Sequence, residues 1–209
     1  MIFALDERLI FPNPELAEDD GLLAVGGDLS IGRLLLAYQN GIFPWYSDET
    51  PILWYSPHER FVLFPAELKI AKSMQQVLRS GKFRISFDED FEGVISNCSS
   101  IGRKDQDGTW ITADMRAAYL NLHRAGHAHS VEVWEADKLV GGLYGVQVNH
   151  VFCGESMFSK VSNASKAALI WLCTRKDFKL IDCQVHTEHL ESMGARMISR
   201  EEYCLNLDF

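Results

Sequence analysis

Near the C-terminal end, Asp182 and Gln184 stand two residues apart in the run Leu180-Ile181-Asp182-Cys183-Gln184. On a strand this spacing places both side chains on one face, where a carboxylate beside a carboxamide can grip one amine. The competing reading is an Asp that caps a neighbouring turn. Glu155, in Gly154-Glu155-Ser156-Met157-Phe158, is a second carboxylate in an apolar run, placed either to hold a ligand or to blunt a sheet edge. Other chemistries find less support. Ser156, Ser159 and the five cysteines lack a Ser-His-Asp or Cys-His arrangement at a recognisable elbow, so no covalent nucleophile is indicated. Cys183, His186 and His189 do not have a standard zinc spacing and no second ligand pair is evident, so no metal is expected. The segment from Phe158 to Lys166 holds no glycine, which argues against the pyrophosphate loop an acyl-CoA would need.

Two further groups suit a nucleic acid. Twelve Phe, six Tyr and five Trp can pack a core, stack on a flat ligand such as a base, or both. Lys69, Lys72, Arg79, Lys82 and Arg84 form the densest basic run, suited to phosphate contacts or to a plain solvated helix face.

The elements that must position these residues fall into two parts. Up to about Glu59, Phe11-Pro12-Asn13-Pro14, Gly21, Gly26-Gly27, Gly41, Pro44, Pro51 and Pro57 leave room only for short elements. Among these, Ser30 caps a helix that ends near Asn40-Gly41, and the expectation is a small cap domain over residues 1–59. Apolar spacing predicts helices over 67–80 and 112–124. Segments 130–134, 139–147 and 150–153 are rich in Val, Phe, Tyr and Trp and read as antiparallel strands. Asn163 is expected to cap a helix to about Thr174, followed by a strand over 179–184, a short helix over 187–192 and a last strand over 195–199. The outline is α+β with a mixed sheet, similar to an acyl-CoA N-acetyltransferase domain over residues 60–209.

Composition narrows the partners. At 209 residues, 47% hydrophobic and 23% charged, the chain can bury a real core. A formal net charge of -9 at pH 7 opposes non-specific nucleic-acid binding and favours a cationic partner, so any nucleic acid must meet a local basic patch. Without an apolar run of 18 residues or a leader pattern at the N-terminus, the reading is soluble, cytoplasmic and free of membranes. The five cysteines form no CxxC pair and are odd in number, as suits reduced thiols.

Five stretches, in order along nearly the whole chain, resemble the leucyl/phenylalanyl-tRNA–protein transferase family. They are Gly21-Leu-Leu-Ala-Val-Gly-Gly-Asp-Leu29, Gly41-Ile-Phe-Pro-Trp-Tyr-Ser47, Gly108-Thr-Trp-Ile111, His127-Ala-His-Ser-Val-Glu-Val-Trp134 and a C-terminal set. That set comprises Gly141-Gly-Leu-Tyr-Gly145, Phe152-Cys-Gly-Glu-Ser-Met-Phe-Ser159, Asn163-Ala-Ser-Lys166 and Leu180-Ile-Asp-Cys-Gln184. The sequence departs from the family at Tyr55, where a second Trp is usual, and at His58-Glu59 before Arg60.

The resemblance implies a two-domain cytosolic enzyme without metal or CoA. Such an enzyme takes Leu, or less readily Phe or Met, from aminoacyl-tRNA and adds it to proteins that begin with Arg or Lys, creating a degradation signal. It implies Asp182 and Gln184 at the catalytic positions. Glu155 would fix the acceptor end of the tRNA or the acceptor peptide. Leu143, Phe152, Met157 and Ile181 would line the aminoacyl pocket, Trp45 and Trp110 would flank the terminal adenosine, and the basic run would meet the acceptor stem.

Overall fold

The computed structural model describes residues 2–100 and 111–207. The Gly- and Pro-rich opening folds as β1 (Phe3–Leu5), β2 (Leu22–Gly26), α1 (Ile31–Gln39), β3 (Phe43–Pro44) and β4 (Leu53–Tyr55). Its four strands form one sheet in the order β1-β2-β4-β3, with β1 and β2 parallel and the other pairs antiparallel. Ser30 starts α1 as the sequence indicated: its hydroxyl accepts a hydrogen bond from the Arg33 N–H, one of the donors a first helical turn leaves open.

The remaining strands build a seven-stranded sheet. They are β5 (Glu59–Leu63), β6 (Arg84–Phe87), β7 (Ala128–Glu135), β8 (Lys138–Val148), β9 (Val151–Ser159), β10 (Leu180–Asp182) and β11 (Arg196–Ser199), in the order β11-β5-β10-β9-β8-β7-β6. Every neighbouring pair is antiparallel except β9 and β10. The helices are α2 (Lys72–Arg79), α3 (Phe91–Ser100), α4 (Ala113–Arg124), α5 (Ala164–Thr174), α6 (Glu188–Ser192) and α7 (Arg200–Leu207). The class is α+β with a mixed sheet, and the chain closes on strand, short helix, Gly194 and strand as outlined from sequence.

Each face of the large sheet has its own core. Phe61, Leu63, Leu143, Phe152 and Ile181 pack with the buried side of α5. Val62, Tyr144, Val146, Cys153 and Leu180 pack with α1, α3, α4 and Tyr203 of α7, continuous with Leu23 and Trp54 of the small sheet. Phe61, Val62 and Leu63 alternate between the two cores, the two-residue period of a strand buried on both sides.

Several boundaries differ from the sequence expectation, each for a local reason. The helix foreseen over 67–80 begins only at Lys72, because the Lys69 N–H donates to the Met193 carbonyl instead of entering a helical ladder. Asn163 precedes α5 but does not cap it through its side chain; it takes a left-handed conformation with φ 73°. The strand expected at 150–153 runs on to Ser159, and the one expected over 179–184 is confined to Leu180–Asp182. α3 and α7 were not foreseen: α3 is rich in Ser, Asn and Gly, and α7 is a weakly patterned polar segment.

Candidate active site

The site sits where two parallel strands part. β9 and β10 pair only through Val151–Cys153 and Leu180–Asp182; β10 then stops while β9 continues to Ser159. At the same level β9 bulges. Gly154 pairs with Gly145 and Ser156 with Tyr144, which leaves Glu155 as an extra residue with no partner on β8. A bulge of this kind re-aims side chains. Here it reverses the alternation, so Cys153 packs on the α1 and α4 side of the sheet and Met157 on the α5 side. Gly145 permits the bulge, since a Cβ there would collide with the Cys153 carbonyl oxygen and lie 2.6 Å from the Phe152 ring.

Glu155 is buried on the α1 and α4 side and held by three donors. The Tyr38 hydroxyl of α1 donates to Oε1 at 2.7 Å, and the Tyr119 hydroxyl of α4 donates to Oε2 at 2.8 Å. Gln184 Nε2 donates to Oε1 at 3.1 Å, across the opening between the strands. Among the described residues no cation is hydrogen-bonded to this carboxyl. Burial pushes it up to about 7, and the nearby Asp182 adds to the rise, while hydrogen bonds donated to its charged form work the other way. A carboxyl that titrates near neutrality is suited to exchanging a proton with an amine.

Asp182 has different surroundings. It is fully buried and ion-paired with Arg60, while its Oδ1 accepts the Gln184 backbone N–H at 3.0 Å. Arg60 lies between the rings of Phe43 and Tyr203, with its guanidinium carbon 4.9 and 4.4 Å from their centroids, and also donates to the Gly41 carbonyl at 3.0 Å. Burial works against the Arg60 charge, but Asp182 and Tyr203 outweigh it and hold the guanidinium protonated.

The shared strand face expected for Asp182 and Gln184 is not what brings them together. β10 ends at Asp182, and Gln184 takes φ 60° in a tight turn closed by the Val185 N–H on the Cys183 carbonyl. A left-handed non-glycine residue is uncommon and costs about 1–3 kcal/mol, so the surrounding bonds must hold it. The turn replaces alternation as the device that aims Gln184 at Glu155.

The other sequence-derived residues separate into groups. Leu143, Phe152 and Ile181 are fully packed core residues of the α5 side, and Met157 is half-buried beside them. Trp45 is exposed, with its ring 5.8 Å from that of Tyr55, the residue that departs from the family pattern. Trp110 lies outside the described residues. Lys69, Lys72, Arg79, Lys82 and Arg84 are all exposed, but Arg84 is clasped by Glu89 at 2.6 and 3.0 Å and Lys82 lies 3.7 Å from Glu135. His186 contacts Glu191 at 3.1 Å, and among the described residues no cluster of His, Cys, Asp and Glu is arranged to hold a metal ion.

Sequence reasoning missed Tyr38, Tyr119 and Arg60. Both tyrosines lie within segments the sequence assigns to helices; a buried Tyr usually needs a partner for its hydroxyl, which was the available signal. Arg60 stands at the head of Arg60-Phe61-Val62-Leu63, and a cation inside an apolar strand implies a buried counter-charge.

The comparisons with known proteins follow this architecture. The family model described as "Leucyl/phenylalanyl-tRNA protein transferase" matches residues 62–208, and the one described as its N-terminal domain matches residues 27–58. A protein of Syntrophobacter fumaroxidans named leucyl/phenylalanyl-tRNA–protein transferase is 58% identical over 205 residues, 97% of this chain and 88% of its own length. One of Flavobacterium johnsoniae with the same name is 52% identical over 205 residues, 97% of each chain. Among solved structures, a GCN5-related N-acetyltransferase from Kribbella flavida has a TM-score of 0.40 and 9% identity, over 79% of this chain and 60% of that one. With matches that run through both sheets and the bulged strand, the chain belongs to the leucyl/phenylalanyl-tRNA protein transferase family.

Proposed function

We propose that this protein takes leucine, or less readily phenylalanine or methionine, from aminoacyl-tRNA and adds it to proteins whose N-terminal residue is Arg or Lys. The product is a degradation signal, the setting is the cytoplasm, and neither metal nor CoA takes part. The division falls at residues 1–59 for a cap domain and 60–209 for the catalytic domain. The observation that carries this reading is Glu155, a buried carboxyl at the strand fork, hydrogen-bonded by Tyr38, Tyr119 and Gln184.

The chemistry asks little of the protein. Aminoacyl-tRNA is an activated ester, so a deprotonated amine placed near the carbonyl carbon reacts once positioned. The α-ammonium gives one proton to Glu155. Its nitrogen then attacks the ester carbon, the C–N bond forms, and the C–O bond to the terminal ribose breaks with the electron pair on oxygen. The second nitrogen proton passes to that oxygen, and the proton on Glu155 leaves to solvent.

Asp182 is a positioning residue in this scheme. Both its oxygens are engaged, one by Arg60 and one by the Gln184 N–H, so it fixes the turn that aims Gln184. Gln184 touches Glu155 and orients the amine. The aminoacyl side chain is received at the half-buried Met157, backed by the packed residues Leu143, Phe152 and Ile181, with a discrimination of about 1–3 kcal/mol per methylene. Trp45, with Tyr55 behind it, stacks on the terminal adenosine together with Trp110, and Lys69, Lys72, Arg79, Lys82 and Arg84 meet acceptor-stem phosphates. The test is transfer of labelled leucine from leucyl-tRNA to proteins beginning with Arg, Lys, Asp or Ala. Transfer to the first two alone is expected; preference for Asp, or no transfer to any, would overturn the assignment.

A further inference from the structure

Counting protons in the buried cluster leads to a result that the distances alone do not state. Three oxygen-to-oxygen contacts join Glu155, Tyr38 and Tyr119: 2.7 Å from Tyr38 to Oε1, 2.8 Å from Tyr119 to Oε2, and 2.5 Å between the two phenol oxygens. Each contact at hydrogen-bond distance needs one proton. Each phenol supplies one, and an ionised carboxylate supplies none, which leaves one contact with two facing lone pairs. A protonated Glu155 supplies the third.

The arrangement then closes in one direction. Oε1 already accepts from Gln184 Nε2 and from Tyr38, so the acid proton belongs on Oε2 and is donated to the Tyr119 oxygen. Relative to the ionised site, the Tyr119 hydroxyl turns from Oε2 to donate to the Tyr38 oxygen, and Tyr38 still donates to Oε1. Each phenol oxygen then both gives and receives, the carboxyl gives through Oε2 and receives through Oε1, and such chains polarise one another in a low-dielectric interior. We propose that Glu155, Tyr38 and Tyr119 form a closed ring of three hydrogen bonds that stores one proton, and that the proton removed from the attacking α-ammonium is the one that closes it. The second half rests on the reading of this site as the place where the acceptor amine binds.

The surroundings favour the closed state. Asp182 from β10 is committed to Arg60 of β5, which lies between Phe43 and Tyr203, so among the described residues Glu155 has no cation paired with it. Tyr144 from β8 packs edge-on against Tyr119, and Cys153 of β9 contacts the Tyr203 hydroxyl of α7. Burial raises Tyr38, Tyr119, Tyr203 and Cys153 above their ordinary range, so these groups remain neutral near neutrality. Glu155 is the group in the cluster that can change its proton count there. Because Tyr38 comes from α1, the ring is complete only with the N-terminal helix in place.

The sign of one shift separates this ring from an ordinary set of donors. If the phenols merely donate to a carboxylate, removing either hydroxyl raises the pH at which Glu155 ionises. If the ring stabilises the acid, removing either hydroxyl opens it and lowers that pH. The experiment follows the infrared carbonyl band of the protonated carboxyl across pH on the full chain, without tRNA or acceptor, and assigns it by its loss in Glu155→Gln. A band that titrates near neutrality is expected in the unaltered protein, moving about one pH unit lower in Tyr38→Phe and in Tyr119→Phe. An upward or absent shift overturns the ring. So does the absence of a titrating carboxyl band near neutrality in the unaltered protein, a result that needs no folded Phe variant. Failure of leucine transfer would leave these spectra unchanged, so the two readings fail separately.

Discussion

Two carboxylates lie close together in this site, and their partners give them opposite tasks. Asp182 faces Arg60, and its removal leaves a buried guanidinium without a counter-charge. Asp182→Ala is therefore expected to lose about 3–5 kcal/mol of stability, and Arg60→Met combined with Asp182→Leu to regain much of it, as measured by urea denaturation. Lost turnover in Asp182→Ala would mix unfolding with chemistry, so Gln184→Ala is the cleaner kinetic variant. Glu155, by contrast, is expected to make stability depend on pH. Its folded value of about 7 lies above the ordinary 4.5, so the folded state binds more protons between the two. The stability it contributes is complete below about 4.5 and is lost as pH rises through about 7, in total about 3 kcal/mol. Glu155→Gln removes that dependence; equal slopes for the two proteins between about pH 5 and about pH 8 would contradict the burial argument.

At the scale of elements, the site depends on an interruption of regular structure. A continuous β9 would keep Glu155 in alternation with Cys153 and Met157; the bulge lets the strand serve both cores. Gly145→Ala would press a methyl group on the Cys153 carbonyl and the Phe152 ring. Backbone and a buried ring yield poorly, so a loss of about 1–3 kcal/mol is expected, with Glu155 displaced from Tyr38 and Tyr119. Chemical denaturation reads the first effect and the infrared titration the second. A stable variant with an unaltered Glu155 titration would show that the bulge does not need a glycine opposite it.

For the whole molecule, the question is how an acidic chain holds an anionic partner. The basic run is exposed, but two of its members already face carboxylates, which leaves Lys69, Lys72 and Arg79 as the members with no ion pair among the described residues. Replacing Lys72 and Arg79 with Ala is expected to weaken aminoacyl-tRNA binding and reduce the steepness of its salt dependence by about two counterions. Arg84→Ala should change the slope less, because Glu89 already occupies the guanidinium. Affinity measured over a salt series tests both; an unchanged slope in the double variant removes the run from the tRNA surface. No helix among the described residues is long and apolar enough to cross a membrane.

The sequence by itself determined the elements whose signals are local. The cap at Ser30 announces α1 because its hydroxyl bonds a donor three residues away, apolar spacing announces α4, and the β-rich centre is legible because strand alternation has a period of two. Its ordered motifs also carried the family. Asp182, Gln184 and Glu155 could be selected by residue type, yet their relations could not, since alternation misplaced Gln184 and gave no sign of the bulge. Only the tertiary structure joined Tyr38, Tyr119 and Glu155, separated by 81 and 36 residues, and paired Arg60 with Asp182 across 122. A carboxyl's proton affinity depends on which groups surround it and how deeply it is buried, and those neighbours come from strands and helices far apart in the chain.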